Sequence, residues 1–377
     1  MKQIIKRVTA FPLKVRASHA QYGFNQIHES SMCHVEVESE DGIVGEGVGS
    51  FADSVVLAAL IERVGAPAIV GRDALDSEAA WQALYWTLAS SGQSGYAFSA
   101  ISALDIAIWD LKGKALGLPI WRLLGGYRRD LPAYATLALT GLSPDELVAF
   151  ARKIVERGFH TVKIRVGRPG LDRRASTVSP ETVVRGDIAR VKHLREALGP
   201  DVEIAIDGAC RLDLHNAVAL ARGVEPYGVE WYEEPLLQND TQLLAQLRSR
   251  TTIKIAVGQS EAQPSRFREL LVKEAVDVIQ PNIVVAGGFT QCARISGLAV
   301  AFNAPIANGG GAPFHNMHLQ AGVPNGLGIE YQTAVIGSAT ALYENLPEIT
   351  GPSFMVPDTP GLGFKARRDA LKEYCAR

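Results

Sequence analysis

No stretch of the chain approaches the ~18 uninterrupted apolar residues that a membrane-spanning helix needs. The opening Met1-Lys2-Gln3-Ile4-Ile5-Lys6-Arg7 reaches charge too early for a secretory signal. Cysteine is sparse. Cys33, Cys210, Cys292 and Cys375 form no C-x-x-C pair, which argues against a zinc knuckle or a thioredoxin-like site. Scattered thiols in so long a chain read as small buried hydrophobes of a reduced, cytoplasmic protein. Neither sign of charge is in excess: 38 Lys and Arg stand against 40 Asp and Glu, a formal net charge of −2. A nucleic acid or an anionic membrane would call for a basic face, so neither is expected as a partner. No G-x-G-x-x-G follows a strand-like run, which weakens a doubly wound nucleotide-binding sheet.

What is present is a globular composition, 47% apolar and 21% charged in 377 residues. A chain this long buries roughly three quarters of its unfolded surface, enough for stability without disulfides. Residues 4 to 15 and 32 to 49 alternate apolar and polar, with Asp41-Gly42 as a hairpin turn between SMCHVEVESE and IVGEGVGS. Helical spacing follows at about 53 to 64, at about 76 to 90, and in a longer pattern at about 99 to 125, around SALDIAIWDLKGKALGLPIWRLLGG. This part reads as a small α+β domain. From about residue 131 short apolar runs recur, most of them about 22 to 30 residues apart, with helix-like segments between. They are LPAYATLAL, TVKIRVG, EIAIDGAC, VEWYEEPL, TIKIAVGQSE, VDVIQPNI, APIANGGG and LGIEYQ. Such alternation is the signature of an α/β fold of the (β/α)₈ barrel type. Residues 166 to 189 read as a charged loop after the second barrel strand.

Active sites of such barrels gather at the carboxyl ends of the strands, so the polar residues there carry the information. The second strand ends in Lys163-Ile164-Arg165, and period-2 geometry sends both cations to one face. The third ends in Asp207, the fourth in Glu233-Glu234, and the fifth in Gln259 with Glu261 close behind. Hard oxygen donors on successive strands suit Mg²⁺. A single carboxylate at a strand end is often only a helix cap. Three in succession, beside two cations, point to a metal site.

With these motifs in this order, the sequence resembles the enolase superfamily, in its mandelate racemase and muconate lactonizing branch, over nearly its whole length. SALDIAIWDLKGKALGLPIWRLLGG is similar to the last helix of that branch's capping domain, VKIRVG to its K-x-K strand, IAIDG, WYEEPL and IAVGQSE to its metal-ligand strands, and VAGGFTQCARISGLAVAFNAP to the link between strands six and seven. The resemblance implies a (β/α)₇β TIM-like barrel over about 129–345, an N-terminal α+β capping domain over about 1–128, and a tail over 346–377 that returns to it. It implies Mg²⁺-dependent removal of the proton α to a carboxylate, because a dication best offsets the second negative charge of the enediolate. A small-molecule carboxylic acid is the implied substrate and a homo-oligomer the implied assembly. Asp207 and Glu233 take the positions of metal ligands, and Glu234 that of a supporting residue.

The sequence departs from the family at several points. The third ligand position carries Gln259, an uncharged donor, and Glu261 is its rival. The second residue of K-x-K is Arg165, a poor base because its pKa exceeds about 12. Either Lys163 takes the proton, or Arg165 orients the acid and the base lies elsewhere. Where the family has its Asp–His dyad, the strand-six position reads Gln280-Pro281-Asn282 and the strand-seven position Asn308, amides in place of both, and Asn282 and Asn308 are expected to touch substrate. His315, after the glycine-rich stretch from Asn308, is the candidate replacement acid or base. His318 is expected to be structural. Glu330, ending the eighth strand, is a candidate assisting carboxylate. Residues 17 to 31 match the family's mobile capping loop, where Tyr22 and His28 are candidate substrate contacts. Dehydration of an acid sugar is the first reading, with racemisation or epimerisation second and cycloisomerisation third. A barrel that binds an acid or metal without turning it over is the alternative of another class.

Overall fold

The computed structural model describes residues 2–139, 141–167 and 178–376. It begins with a three-stranded antiparallel sheet of β1 (Ile5–Ser18), β2 (Ile27–Ser39) and β3 (Val44–Ser50). Helices α1 (Ser54–Leu60), α2 (Ala66–Ile69), α3 (Ser77–Leu88), α4 (Tyr96–Leu116) and α5 (Ile120–Leu123) follow. The long α4 is buried at most positions because it is covered on both sides, by the sheet and by a barrel helix. Glycine is what lets it approach the sheet. A Cβ at Gly45 would stand 2.1 Å from the Ala107 carbonyl oxygen, and one at Gly47 2.1 Å from that of Ala103.

The barrel strands are β4 (Asp130–Leu137), β5 (Thr161–Arg165), β6 (Glu203–Asp207), β7 (Val229–Glu233), β8 (Lys254–Val257), β9 (Val278–Ile279) and β10 (Ile329–Gln332). They pair in parallel in that order, and β10 returns to β4. The ring passes between β9 and β10 through Ile306, which bridges Ile279 on one side and Gly326 on the other. The seventh strand is thus a single bridge rather than the extended run expected of APIANGGG. Pro305 has no N–H to give to a ladder, and Gly309, Gly310 and Gly311 turn the chain away. Helices α6 (Pro144–Glu156), α7 (Pro180–Leu198), α8 (Leu214–Val224), α9 (Thr241–Arg248), α10 (Pro264–Val272), α11 (Gly288–Val300), α12 (Pro313–Gly322) and α13 (Thr333–Leu342) accompany the strands. Ser143 and Glu146 cap α6 reciprocally, with Pro144 in the first turn.

Two expectations need correction. Residues 166 to 189 are not all loop: α7 starts at Pro180, with the Ser179 hydroxyl accepting from Thr182 N. The Ser-Pro cap and the apolar face of Val183, Val184 and Val191 are its signal. Residues 168–177 of that segment lie outside the described residues. Residues 17 to 31 are strand only at their two ends, paired from Ser18↔Ile27 onward, so the expected loop narrows to residues 19–26. That loop is anchored, since Lys153 Nζ donates to the Tyr22 carbonyl at 2.8 Å.

The two parts are tied together by buried polar contacts. Asp105 of α4 accepts from the Thr290 amide and hydroxyl on α11, at 3.0 and 2.6 Å. Burial pushes its carboxyl up to about 7, against the pull of the Thr290 hydrogen bonds. After α13 the chain adds Ser353–Met355 antiparallel to β4, and Ala376 N reaches the Pro12 carbonyl at 2.8 Å. No helix among the described residues is long and apolar enough to cross a membrane.

Candidate active site

Alternation along the strands gives the barrel interior its layers. Lys163 of β5 is fully buried. Its Nζ lies 2.5 Å from Glu233 Oε1 on β7 and 3.0 Å from Glu330 Oε1 on β10. Burial works against the ammonium, but Glu233 and Glu330 outweigh it and hold the Lys163 pKa well above its ordinary value. Glu330 also accepts from the Thr136 hydroxyl at 2.6 Å and from Gly311 N at 2.7 Å. Burial opposes its charge, yet Lys163 and these donors keep its carboxyl below the usual range. Glu233 is pushed up by burial, and Asp207 and Glu330 add to this against the pull of Lys163. Its second oxygen accepts from Gln280 Nε2 at 2.8 Å.

Asp207 ends β6 in register with Glu233. Its Oδ1 accepts from Ala209 N at 2.8 Å, and Arg165 Nε stands 3.7 Å from its Oδ2. Arg165 is half-buried, and its Nε has no hydrogen-bond partner among the described residues. Gln259 follows β8 under the glycine loop, where a Cβ at Gly310 would be 3.0 Å from Gln259 Oε1. Glu261 turns elsewhere, with its oxygens held by Asn239 Nδ2 at 3.3 Å and Arg266 Nε at 3.4 Å. Among the described residues no three His, Cys, Asp or Glu side chains stand together as a ready metal cage. What the ends of successive strands present is two carboxylates, Asp207 and Glu233, and the Gln259 amide just past the next. An all-oxygen set in which Asp207 disfavours the charge of Glu233 fits a hard dication, because a cation would relieve that repulsion.

Asn282 and Asn308 are fully buried, but their amides serve the glycine loop. Asn282 Nδ2 donates to the Gly309 carbonyl at 2.9 Å, and its oxygen accepts from Asn316 Nδ2 at 2.9 Å. Asn308 Nδ2 donates to the Gly311 carbonyl at 3.0 Å, and its oxygen accepts from Glu330 N at 3.1 Å. They are braces rather than free contacts for substrate. Tyr22 is likewise buried, with its hydroxyl 3.1 Å from that of Tyr331 and its ring against Phe150. His28, on β2 of the capping sheet, is half-buried and near enough to Arg165 to feel its charge. Burial lowers its pKa first, then the nearby charges of His19 and Arg165.

His315 does not reach the barrel mouth. Its ring meets Phe364 at 5.0 Å and Tyr343 at 5.6 Å, both edge-on, and burial lowers its pKa to about 3. His318 is buried too, against the Leu362 carbonyl at 3.0 Å.

Sequence reasoning gave no role to Cys210, read as a small buried hydrophobe, or to Gln280, noted only within the amide-bearing end of strand six. Cys33 and Cys292 are buried as expected of small hydrophobes, and Cys375 is exposed. Cys210 is half-buried beside the site, and its thiol donates to Glu234 Oε2 at 2.5 Å. Glu234 also accepts from Gly258 N at 2.9 Å and Asn239 Nδ2 at 3.0 Å, so it laces three strand ends together. Its own φ of 42°, with 48° at Ala209 and 57° at Cys210, puts left-handed backbone at this edge, a cost carried by residues with side chains. The position of Cys210 just past the Asp207 strand end was the available signal.

A curled parallel barrel with an antiparallel capping sheet, and acids and amides at its strand ends, defines an enzyme architecture. Residues 146–370 match the enolase C-terminal domain-like family, and residues 6–125 the mandelate racemase / muconate lactonizing enzyme N-terminal domain. The chain belongs to the mandelate racemase and muconate lactonizing enzyme family of the enolase superfamily. It is 31% identical to an L-rhamnonate dehydratase of Saccharopolyspora erythraea, over 93% of this chain and 86% of that one. A 3,6-anhydro-D-galactonate cycloisomerase from Zobellia galactanivorans superposes with a TM-score of 0.85 at 28% identity, covering 99% of this chain and 100% of its own. An L-talarate dehydratase from Polaromonas, solved with Mg and L-glucarate, gives 0.84 at 28% identity and 98% of both chains.

Proposed function

We propose that this chain removes the proton α to the carboxylate of an acid sugar, with Mg²⁺ bound, and expels the β-hydroxyl as water. The observation that carries this reading is Lys163, buried between Glu233 and Glu330 and flanked by Asp207 and Arg165 at the carboxyl ends of the strands. Asp207, Glu233 and Gln259 would hold the metal. Bound there, the ion supplies positive charge against the second negative charge of the deprotonated acid. Arg165, whose Nε has no hydrogen-bond partner among the described residues, orients the substrate carboxylate. Lys163 Nζ accepts the α proton as a neutral amine, a form that bound metal would favour by drawing on the charge of Glu233, with Glu330 as its fixed partner. His28 closes the open side from the capping sheet and helps exclude water. The α C–H bond breaks, its proton passes to Lys163 Nζ and its electron pair moves toward the carboxylate; that pair then expels the β-hydroxyl, which takes the proton back from Lys163 Nζ and leaves as water.

Two-base racemisation loses support because Asn282 and Asn308 spend their amides on the glycine loop. Cycloisomerisation is the second reading, since proteins of that name match this chain over the same length as the dehydratases do. The test is proton NMR of aldonic and aldaric acids in D₂O with Mg²⁺. We expect α-proton exchange and formation of a 2-oxo-3-deoxy acid, both lost in Asp207→Asn. An isomer formed without loss of water would favour the second reading. Magnesium binding by calorimetry with no exchange for any acid would overturn both.

A further inference from the structure

Behind the site, at the amino-terminal end of the barrel, lies a second cavity of about 330 Å³. Its walls include Tyr134, Trp231, Ala256, Val278, Gln280 and Ala307. Barrel interiors are ordinarily filled by branched side chains. Here Ala256 and Ala307 leave the space open. Trp231 and Tyr134 form an aromatic wall, their ring centroids 5.0 Å apart at 82°. The charges at the rim are answered locally, Lys254 by Glu230 and Glu203 by the Thr161 hydroxyl. The wall is largely apolar, and the charged groups among the described residues stay at its rim with local partners.

One polar atom breaks that pattern. Gln280 is 1% exposed, and its Oε1 has no hydrogen-bond partner among the described residues. The amide cannot simply be turned over. Its Nε2 donates to Glu233 Oε2, and a flip would set oxygen against carboxylate oxygen. A buried acceptor left unpaired is costly, so this oxygen calls for a donor from whatever fills the cavity.

We propose that this cavity is a second ligand site, for a small neutral aromatic alcohol. The ring would pack against Trp231 and Tyr134, and the hydroxyl would donate to Gln280 Oε1. The volume lies at the low end of the range of about 300–1,000 Å³ for ligand pockets, which suits a single ring.

The probe is 4-fluorophenol, followed by ¹⁹F NMR with the full chain, and 4-fluorotoluene is its partner without the donor. We expect saturable broadening with a Kd of about 1 mM for the phenol, and binding at least about fivefold weaker for the toluene. Ala307→Leu, which fills the cavity, should weaken the phenol at least about tenfold. If that variant fails to fold by circular dichroism, Ala256→Leu takes its place, and the two-probe comparison needs no variant. Absence of saturation up to about 20 mM, equal binding of the two probes, or unchanged binding in a folded filled variant would each overturn the proposal.

Discussion

Along β7, Glu233 faces the mouth of the barrel and Trp231 its floor; along β8 and β9, the floor receives Ala256 and Val278. The same strands thus build two interiors. At the mouth, Lys163, Glu233, Glu330, Asn282 and Asn308 are buried polar groups, each held by named partners. At the floor Ala256, Val278 and Ala307 are small and apolar beside the Trp231 ring, and space is left over. Moving two residues along a strand exchanges charge balance for loose packing. The fold's stability and its chemistry are therefore sensitive to different kinds of change at the two ends.

The largest test of that contrast is Lys163→Met, which leaves Glu233 and Glu330 buried without their cation. Breaking a buried pair in this way costs about 3–5 kcal/mol, read as a shift in urea unfolding. A loss below about 1 kcal/mol would mean that the mouth is not held by charge balance.

A second test concerns His315, which belongs to neither end. Its folded pKa near 3 lies below the unfolded value of about 6.5. The neutral ring therefore contributes stability above pH 6.5. That contribution drains away as pH falls toward 3, because the unfolded chain takes up the proton first. Against His315→Gln, the wild type should lose about 1.4 kcal/mol per pH unit between pH 6 and 4.5. A parallel pair of stability curves would place His315 in contact with water. The smallest effect is expected at the floor. Val278→Ala should cost about 1 kcal/mol by thermal unfolding, at the bottom of the range for such truncations, because a cavity already adjoins it.

Much of the barrel was legible because strand and helix periods differ and the runs repeat. Lys163, Asp207 and Glu233 were legible as strand-end residues, and period 2 correctly set Lys163 beside the interior acids. His315 was not, and the reason lies in α12. Every residue of that helix is buried, so no polar face tells which side looks at the mouth. Asn282 and Asn308 could be located but not interpreted, since their partners are backbone groups of a loop whose path depends on the positive φ of Gly310, Gly311 and Ala312. Tyr22 lay in a segment read as mobile, and what holds it, Lys153, Phe150 and the hydroxyl of Tyr331, lies far along the chain. Gln280 was visible in the Gln280-Pro281-Asn282 strand end, but its role could not be told from that of the neighbouring amide. Its meaning comes from the one oxygen that nothing meets.

The close seating of α4 on the capping sheet has a consequence for how this protein tolerates change. At Gly45 and Gly47 a single added methyl would collide with backbone rather than with a side chain that can step aside, and at Gly49 it would meet Leu57 and the Ser99 carbonyl. A survey of random variants scored only by lost activity would mark these three positions as heavily as Asp207. Separating the two groups takes a measure of how much folded protein remains.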